Sequence, residues 1–156
     1  MIDPSPSPHL DFALELRVHI APTLELGSGP FGIRRTVPIT GGTFRGPKIS
    51  GRVLAGGADW QLVQRDGLTF VDAQYVIETS NGVRIEVRNQ GIRHASPEVF
   101  DRIEAGEIVP PGQYYFRTTP RFYPPDGQYE WLNRSIFLGI AERYADLVLV
   151  RVWMVT

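Results

Sequence analysis

The stretch Leu68-Thr69-Phe70-Val71-Asp72-Ala73-Gln74-Tyr75-Val76-Ile77-Glu78-Thr79-Ser80-Asn81-Gly82-Val83-Arg84-Ile85-Glu86-Val87-Arg88 decides the fold. Side chains of an extended chain alternate faces, so Val71, Ala73, Tyr75, Ile77 and Thr79 share one side. Asn81-Gly82 is the strongest short hairpin signal, and the return run sets Val83, Ile85 and Val87 against Arg84, Glu86 and Arg88. The first run also places Leu68, Phe70 and Val76 on its second face, and Leu147 to Val155 is apolar on both parities as well. A one-sided sheet would leave one parity polar. A closed antiparallel barrel with a partly apolar lumen and something packed on part of its outer wall accounts for both faces. A sandwich is the alternative.

Working outward, Phe12, Leu14, Leu16, Val18 and Ile20 alternate with polar neighbours, and the stretches 23–26 and 32–39 read as extended. The glycines from Gly41 to Gly46 and at Gly56-Gly57 lie between strands rather than before a helix. They read as turns and bulges at barrel corners, not as a phosphate cradle. Further strands are expected at 48–55, 60–64, 113–122, 130–140 and 147–155. One short helix is expected over 97–105, with Ser96 as N-cap, Pro97 in the first turn and Gly106 after the end. It would form a lid on one end. The expectation is an all-β barrel of about nine strands over residues 10–156, preceded by a disordered tail at 1–9 that is rich in serine and proline.

Composition narrows the function classes. The 156 residues suit one domain, and the absence of cysteine excludes disulfides, thiolate nucleophiles and Cys-ligated metals. Sixteen basic and seventeen acidic residues leave a net charge of −1 with no basic patch, so no nucleic-acid partner is expected. No apolar run approaches a membrane span, and Met1-Ile2-Asp3-Pro4 lacks the features of a signal peptide. A cytoplasmic protein is expected, and the apolar outer parities allow a homodimer. His9, His19 and His94 fall at no metal-ligand spacing, so neither a metal nor another cofactor is expected. Ser28 lacks the helix of a nucleophile elbow, and Lys48 after Gly46-Pro47 reads as a solvated strand end.

The remaining chemistry lies in polar residues embedded in apolar strands. Asp72, between Phe70 and Val76, must be paired, hydrogen-bonded or shifted toward neutrality. It is a candidate acid/base or the partner of one of fifteen arginines. Asp59-Trp60 would set a carboxylate and an indole at a barrel mouth, or cap a turn beside a core tryptophan. Tyr115, Arg117, Thr119 and Arg121 share a parity that could hold an anion or enolate, or could simply be a solvated wall. Tyr129, Trp131 and Asn133 share another, as an aromatic binding face or as core.

These residues fall in ordered blocks: Gly32-Ile33-Arg34, Gly41-Gly42-Thr43-Phe44 with Gly46-Pro47, Gly51 to Leu54, Gly56-Gly57-Ala58-Asp59-Trp60 and Asp72-Ala73-Gln74-Tyr75. Asn81-Gly82, Tyr115-Phe116-Arg117-Thr118 with Pro120-Arg121-Phe122, and Tyr129-Glu130-Trp131-Leu132-Asn133 complete the series. Together they resemble the DUF3237 family, also called UPF0311, over residues 10–156. The resemblance implies a calycin-like (lipocalin-like) β-barrel and no particular reaction.

The expected function is a cofactor-independent enzyme acting by proton transfer on a small aromatic or oxygenated molecule in the lumen. Isomerisation, hydration or dehydration, and cyclisation fit that chemistry. Asp59 or Asp72 would be the acid/base, and Arg117 or Arg121 with Tyr75 or Tyr129 would stabilise an oxyanion. Arg34, Trp60, Tyr115, Trp131 and Asn133 complete the substrate-binding candidates. The alternative is a non-catalytic barrel that binds a small hydrophobic ligand.

Overall fold

The computed structural model describes residues 6–156, so the first part of the expected tail, 1–5, lies outside the described residues. Pro6 to His9 are exposed and irregular, and the His9 backbone pairs in both directions with that of Thr156, at 2.9 and 2.8 Å.

Ten strands form, against the nine or so expected: β1 Leu10–Ile20, β2 Leu24–Gly29, β3 Gly32–Arg45, β4 Ser50–Val53 and β5 Ala58–Val63, then β6 Thr69–Thr79, β7 Arg84–His94, β8 Tyr115–Tyr123, β9 Ile136–Arg143 and β10 Leu147–Val155. One helix, α1, spans Pro97–Glu104. All strand neighbours are antiparallel. The sheet runs β1-β10-β9-β8-β7-β6, continues through β4 and β5 to β3, and closes where β3 pairs back onto β1 from Glu15↔Arg45 to Ile20↔Ile39. The result is a closed antiparallel barrel of eight strand positions. β4 and β5 share the place between β3 and β6, and β2 adds to β3 beyond the reach of β1.

The glycine-dense segment near residue 41 does not end its strand. β3 runs straight through it, with Ile33–Thr36 between β2 and β5 and the stretch 39–45 along β1. Gly41 and Gly42 make the corner at φ 150° and 138°, and a Cβ at Gly42 would strike the carbonyl of Arg17. Only a residue without a side chain allows both that backbone and that approach.

The lumen is packed at one end. Leu14, Leu16, Phe44, Ile77, Ile85, Val87, Phe122, Phe137 and Val152 are buried there. The expected strand over 130–140 begins only at Ile136, because residues 130–134 form a 3-10 helix instead. Its first turn is fixed by the Gly127 amide donating to Glu130 Oε1 at 3.0 Å and by Leu132 N donating to the Tyr129 carbonyl at 3.0 Å. β8 and β9 pair only at Arg117↔Ile140 and Thr118↔Gly139, and this short helix packs where they part. Leu132 and Tyr129 are buried, and Tyr129 Oη donates to Asn81 Oδ1 at 2.8 Å.

α1 closes the other end. Ser96 Oγ accepts from Val99 N at 3.3 Å, and Gly106, at φ 80°, follows the last turn. Glu104 at its C-terminal end reaches the wall: both its oxygens accept from Arg35 (2.7 and 2.9 Å), and one also accepts from Arg93 (3.0 Å). The outer apolar parity of β6 is not covered this way, and Phe70 remains exposed beside Trp60. Among the described residues, no helix is long and apolar enough to cross a membrane.

Candidate active site

Between the packed end and α1 the barrel is hollow. Strand register brings its polar residues together: Asp59 on β5 lies opposite Ala73 on β6, and Ala73 lies opposite Asn89 on β7. Tyr75 and Val71 flank Ala73 on the same face. Phe116, Thr118, Ala141 and Arg143 line the far wall, while Val18, Ile20, Val37 and Ile39 complete the ring. The atom-free space is about 560 Å³, of which about 50 Å³ is open to the centre of a water-sized sphere. One water needs about 10–15 Å³ by the latter measure, so the lumen has room for a few waters or one small organic molecule.

A directed chain of hydrogen bonds orients Asp59. Glu104 accepts from Arg35 Nη1 and Nη2, Arg35 Nε donates to Gln61 Oε1 at 2.8 Å, and Gln61 Nε2 donates to Asp59 Oδ2 at 2.7 Å. Arginine has no acceptor, so it fixes which way the Gln61 amide points. Gln61 must therefore present N–H to Asp59. The other carboxyl oxygen, Oδ1, accepts from the Asp72 backbone N–H at 2.9 Å. Burial pushes the Asp59 carboxyl above the ordinary carboxylate range. The Gln61 and Asp72 hydrogen bonds and the charges of Arg93 and Arg143 pull the other way and only partly offset it. Burial, with the charge of Asp59 beside it, also holds the Tyr75 phenol well above its usual range.

Two further groups face this space without a partner. Asn89 Oδ1 and Thr118 Oγ1 are buried oxygens that make no hydrogen bond within the protein, and both residues line the lumen. A buried oxygen ordinarily has a hydrogen-bond partner, so both are placed to bond a polar group that enters the lumen. Arg93 is 2% exposed and paired to Glu104. Arg143 borders the lumen and donates from Nη1 to the Tyr144 carbonyl at 3.0 Å.

Of the residues expected to carry the chemistry, the fold brings Asp59 and Tyr75 into the lumen. It does not bring Asp72 there. That side chain is on the outer wall, where Arg88 donates to it at 3.2 and 3.1 Å and Gln90 at 3.3 Å. Trp60 alternates outward from Asp59 and is 55% exposed. It shares an outer groove with Arg34 and Asp72. Tyr115, Arg117 and Arg121 also lie on the outward parity of β8, with the Arg117 guanidinium 5.0 Å from the Tyr115 ring centre. Tyr129, Trp131 and Asn133 are at the plugged end. There Trp131 lies 6.2 Å from the Phe137 ring, and Asn133 Nδ2 donates to the Pro124 carbonyl at 3.2 Å.

Sequence reasoning missed Gln61, Asn89, Arg93, Thr118 and Arg143, and one signal could have found most of them. Ile85, Val87, Asn89 and Arg93 continue a single parity, and Phe137, Gly139, Ala141 and Arg143 continue another. Polar residues that extend a core-facing parity past its last aliphatic point into the same space.

A family model described as a protein of unknown function, DUF3237, matches residues 8–155. A UPF0311 protein of Rhodopseudomonas palustris (strain TIE-1) is 36% identical over 97% of this chain and 99% of its own length. The crystal structure of a conserved protein of unknown function from Rhodopseudomonas palustris superimposes with a TM-score of 0.92 at 36% identity, covering 97% of this chain and 99% of that one. The crystal structure of an enzyme from Penicillium herquei shares the fold at a TM-score of 0.73 and 21% identity, covering 99% of this chain and all of that one.

Proposed function

The chain belongs to the DUF3237 family, and from the lumen it encloses we propose that it is a cofactor-independent enzyme moving protons on a small aromatic or oxygenated molecule. The observation that carries this reading is Asp59, a carboxyl held by two fixed donors against an otherwise largely aliphatic cavity, where burial holds it above the ordinary carboxylate range. Tyr75, Asn89 and Thr118 would hold the substrate's oxygens, and the buried Arg93 would favour negative charge developing on one of them. Asp59 would take a proton from one position of the substrate, or from a water whose oxygen bonds to it, and return it to another position or to a departing hydroxyl that leaves as water. That single act covers isomerisation, addition or elimination of water, and ring closure. The enzyme among the chains of like fold is compatible with this reading and does not specify the reaction.

Val18, Ile20, Val37, Ile39, Val71 and Val150 favour a second reading, a carrier for a small hydrophobic ligand. Solvent exchange separates the two. The protein is incubated in D2O with a panel of cyclic enones and phenolic ketones, and deuterium entering each compound is followed by NMR. The enzyme reading predicts incorporation well above the buffer rate for at least one compound. Compounds that bind without accelerated exchange would favour the carrier.

A further inference from the structure

We propose that the molecule this lumen accepts bears a carboxylate, and that Arg143 is the residue that pairs with it. The proposal rests on the lumen being a small-molecule site. Three guanidinium groups, Arg35, Arg93 and Arg143, converge on the hollow end, where the carboxyls are Glu104 and Asp59. Glu104 is shared between Arg35 and Arg93, and Asp59 is occupied by Gln61 and the Asp72 amide. Among the described residues, Arg143 has no carboxylate at ion-pair distance, and its guanidinium makes one hydrogen bond, to the Tyr144 carbonyl. Burial, with the like charge of Arg93 nearby, lowers the Arg143 pKa to about 10, which leaves it cationic at neutral pH.

An enclosed cation without a counter-ion is costly. Even with both Glu104 and Asp59 ionised, three guanidinium groups face two carboxylates, an excess of one positive charge that one monoanion would balance. The planar fork of N–H groups on arginine matches a carboxylate edge. Asn89 and Thr118 offer partners for one more polar group, while the aliphatic wall suits a ring or short hydrocarbon. That wall has no donors for the additional oxygens of a phosphate. The fitting ligand is therefore a small ring-bearing monocarboxylate.

Calorimetric titration of the full chain with benzoate and with its neutral isostere benzamide tests this, using wild type, Arg143→Met and Arg143→Lys. Wild type should bind benzoate at least tenfold more tightly than benzamide. Arg143→Met should lose that preference while keeping its affinity for benzamide, and Arg143→Lys should keep part of it. Equal affinities in wild type, no benzoate binding, or a preference that survives Arg143→Met would overturn the proposal. If Arg143→Met does not fold, the wild-type pair and Arg143→Lys still decide. Deuterium exchange intact alongside equal affinities would remove the carboxylate alone. Loss of both exchange and binding would remove the underlying reading as well.

Discussion

Asp59→Asn should cut turnover by roughly 10²–10⁴-fold, the usual contribution of a positioned acid/base group, while its melting temperature relative to wild type should climb with pH. Asparagine keeps the shape and an acceptor for the Asp72 amide but can neither take nor give a proton, and its Nδ2 meets the Gln61 N–H, a donor facing a donor that costs stability at every pH. The stability half follows from linkage. The folded-state value of Asp59 lies above its ordinary 3.8. Its stability contribution is therefore fully present below that ordinary value and is lost as pH rises through the folded value. A neutral side chain escapes that loss, so the variant should gain on wild type with increasing pH. Thermal melts across the acid-to-neutral range, alongside turnover of any compound that exchanges deuterium, check both halves. A variant that unfolds would make Asp59 structural, and one with full turnover would remove it from the chemistry.

Glu104→Gln should cost about 1–3 kcal/mol at neutral pH, less than a fully buried pair would because Glu104 itself is partly open to solvent while its partner Arg93 is buried. Arg93 loses its only carboxylate at ion-pair distance among the described residues, and Arg35 loses a two-pronged partner. Burial pushes the Glu104 carboxyl up. The hydrogen bonds and charge of Arg35 and the charge of Arg93 more than offset this and leave it below its ordinary 4.5. Its contribution is present above 4.5 and disappears as pH falls through the lower folded value. Urea unfolding at neutral pH and again at about pH 3 should show the gap between variant and wild type shrinking in acid. A gap independent of pH would mean that the charge of Glu104 is not what holds α1 to the barrel. The same substitution should reduce turnover, because Arg35 orients Gln61 and Gln61 orients Asp59.

The barrel was legible because its signal is local and repeated. Period-two alternation, the Asn81-Gly82 hairpin and Ser96-Pro97 at the helix start each sit within a few residues of what they specify. Residues 130–134 were misread because Tyr129, Trp131 and Asn133 mimic a strand face, while the contacts that wind them come from Gly127 and from the gap between β8 and β9. Of the site, Asp59 and Tyr75 were read from the sequence; Asn89, Arg93 and Arg143 were legible only by extending a core-facing parity past its last aliphatic residue. The choice between lumen and outer wall is a single parity decision per strand, and on β8 the more polar face is the outer one. Thr118, on the aromatic parity between Phe116 and Phe122, is the polar lumen residue of that strand. Asp72 shows the same ambiguity in reverse. Its carboxylate is satisfied across the strands by Arg88, a partner visible only once the β6–β7 register is fixed by Gln74↔Arg88 and Asp72↔Gln90.

A crystal structure of the protein soaked with a compound that it exchanges or turns over tests the central claim most directly. The compound is expected inside the barrel, with a reacting atom within hydrogen-bond reach of Asp59. Density confined to the outer wall, beside Asp72 and Trp60 or along Arg121, with waters alone around Asp59, would contradict it.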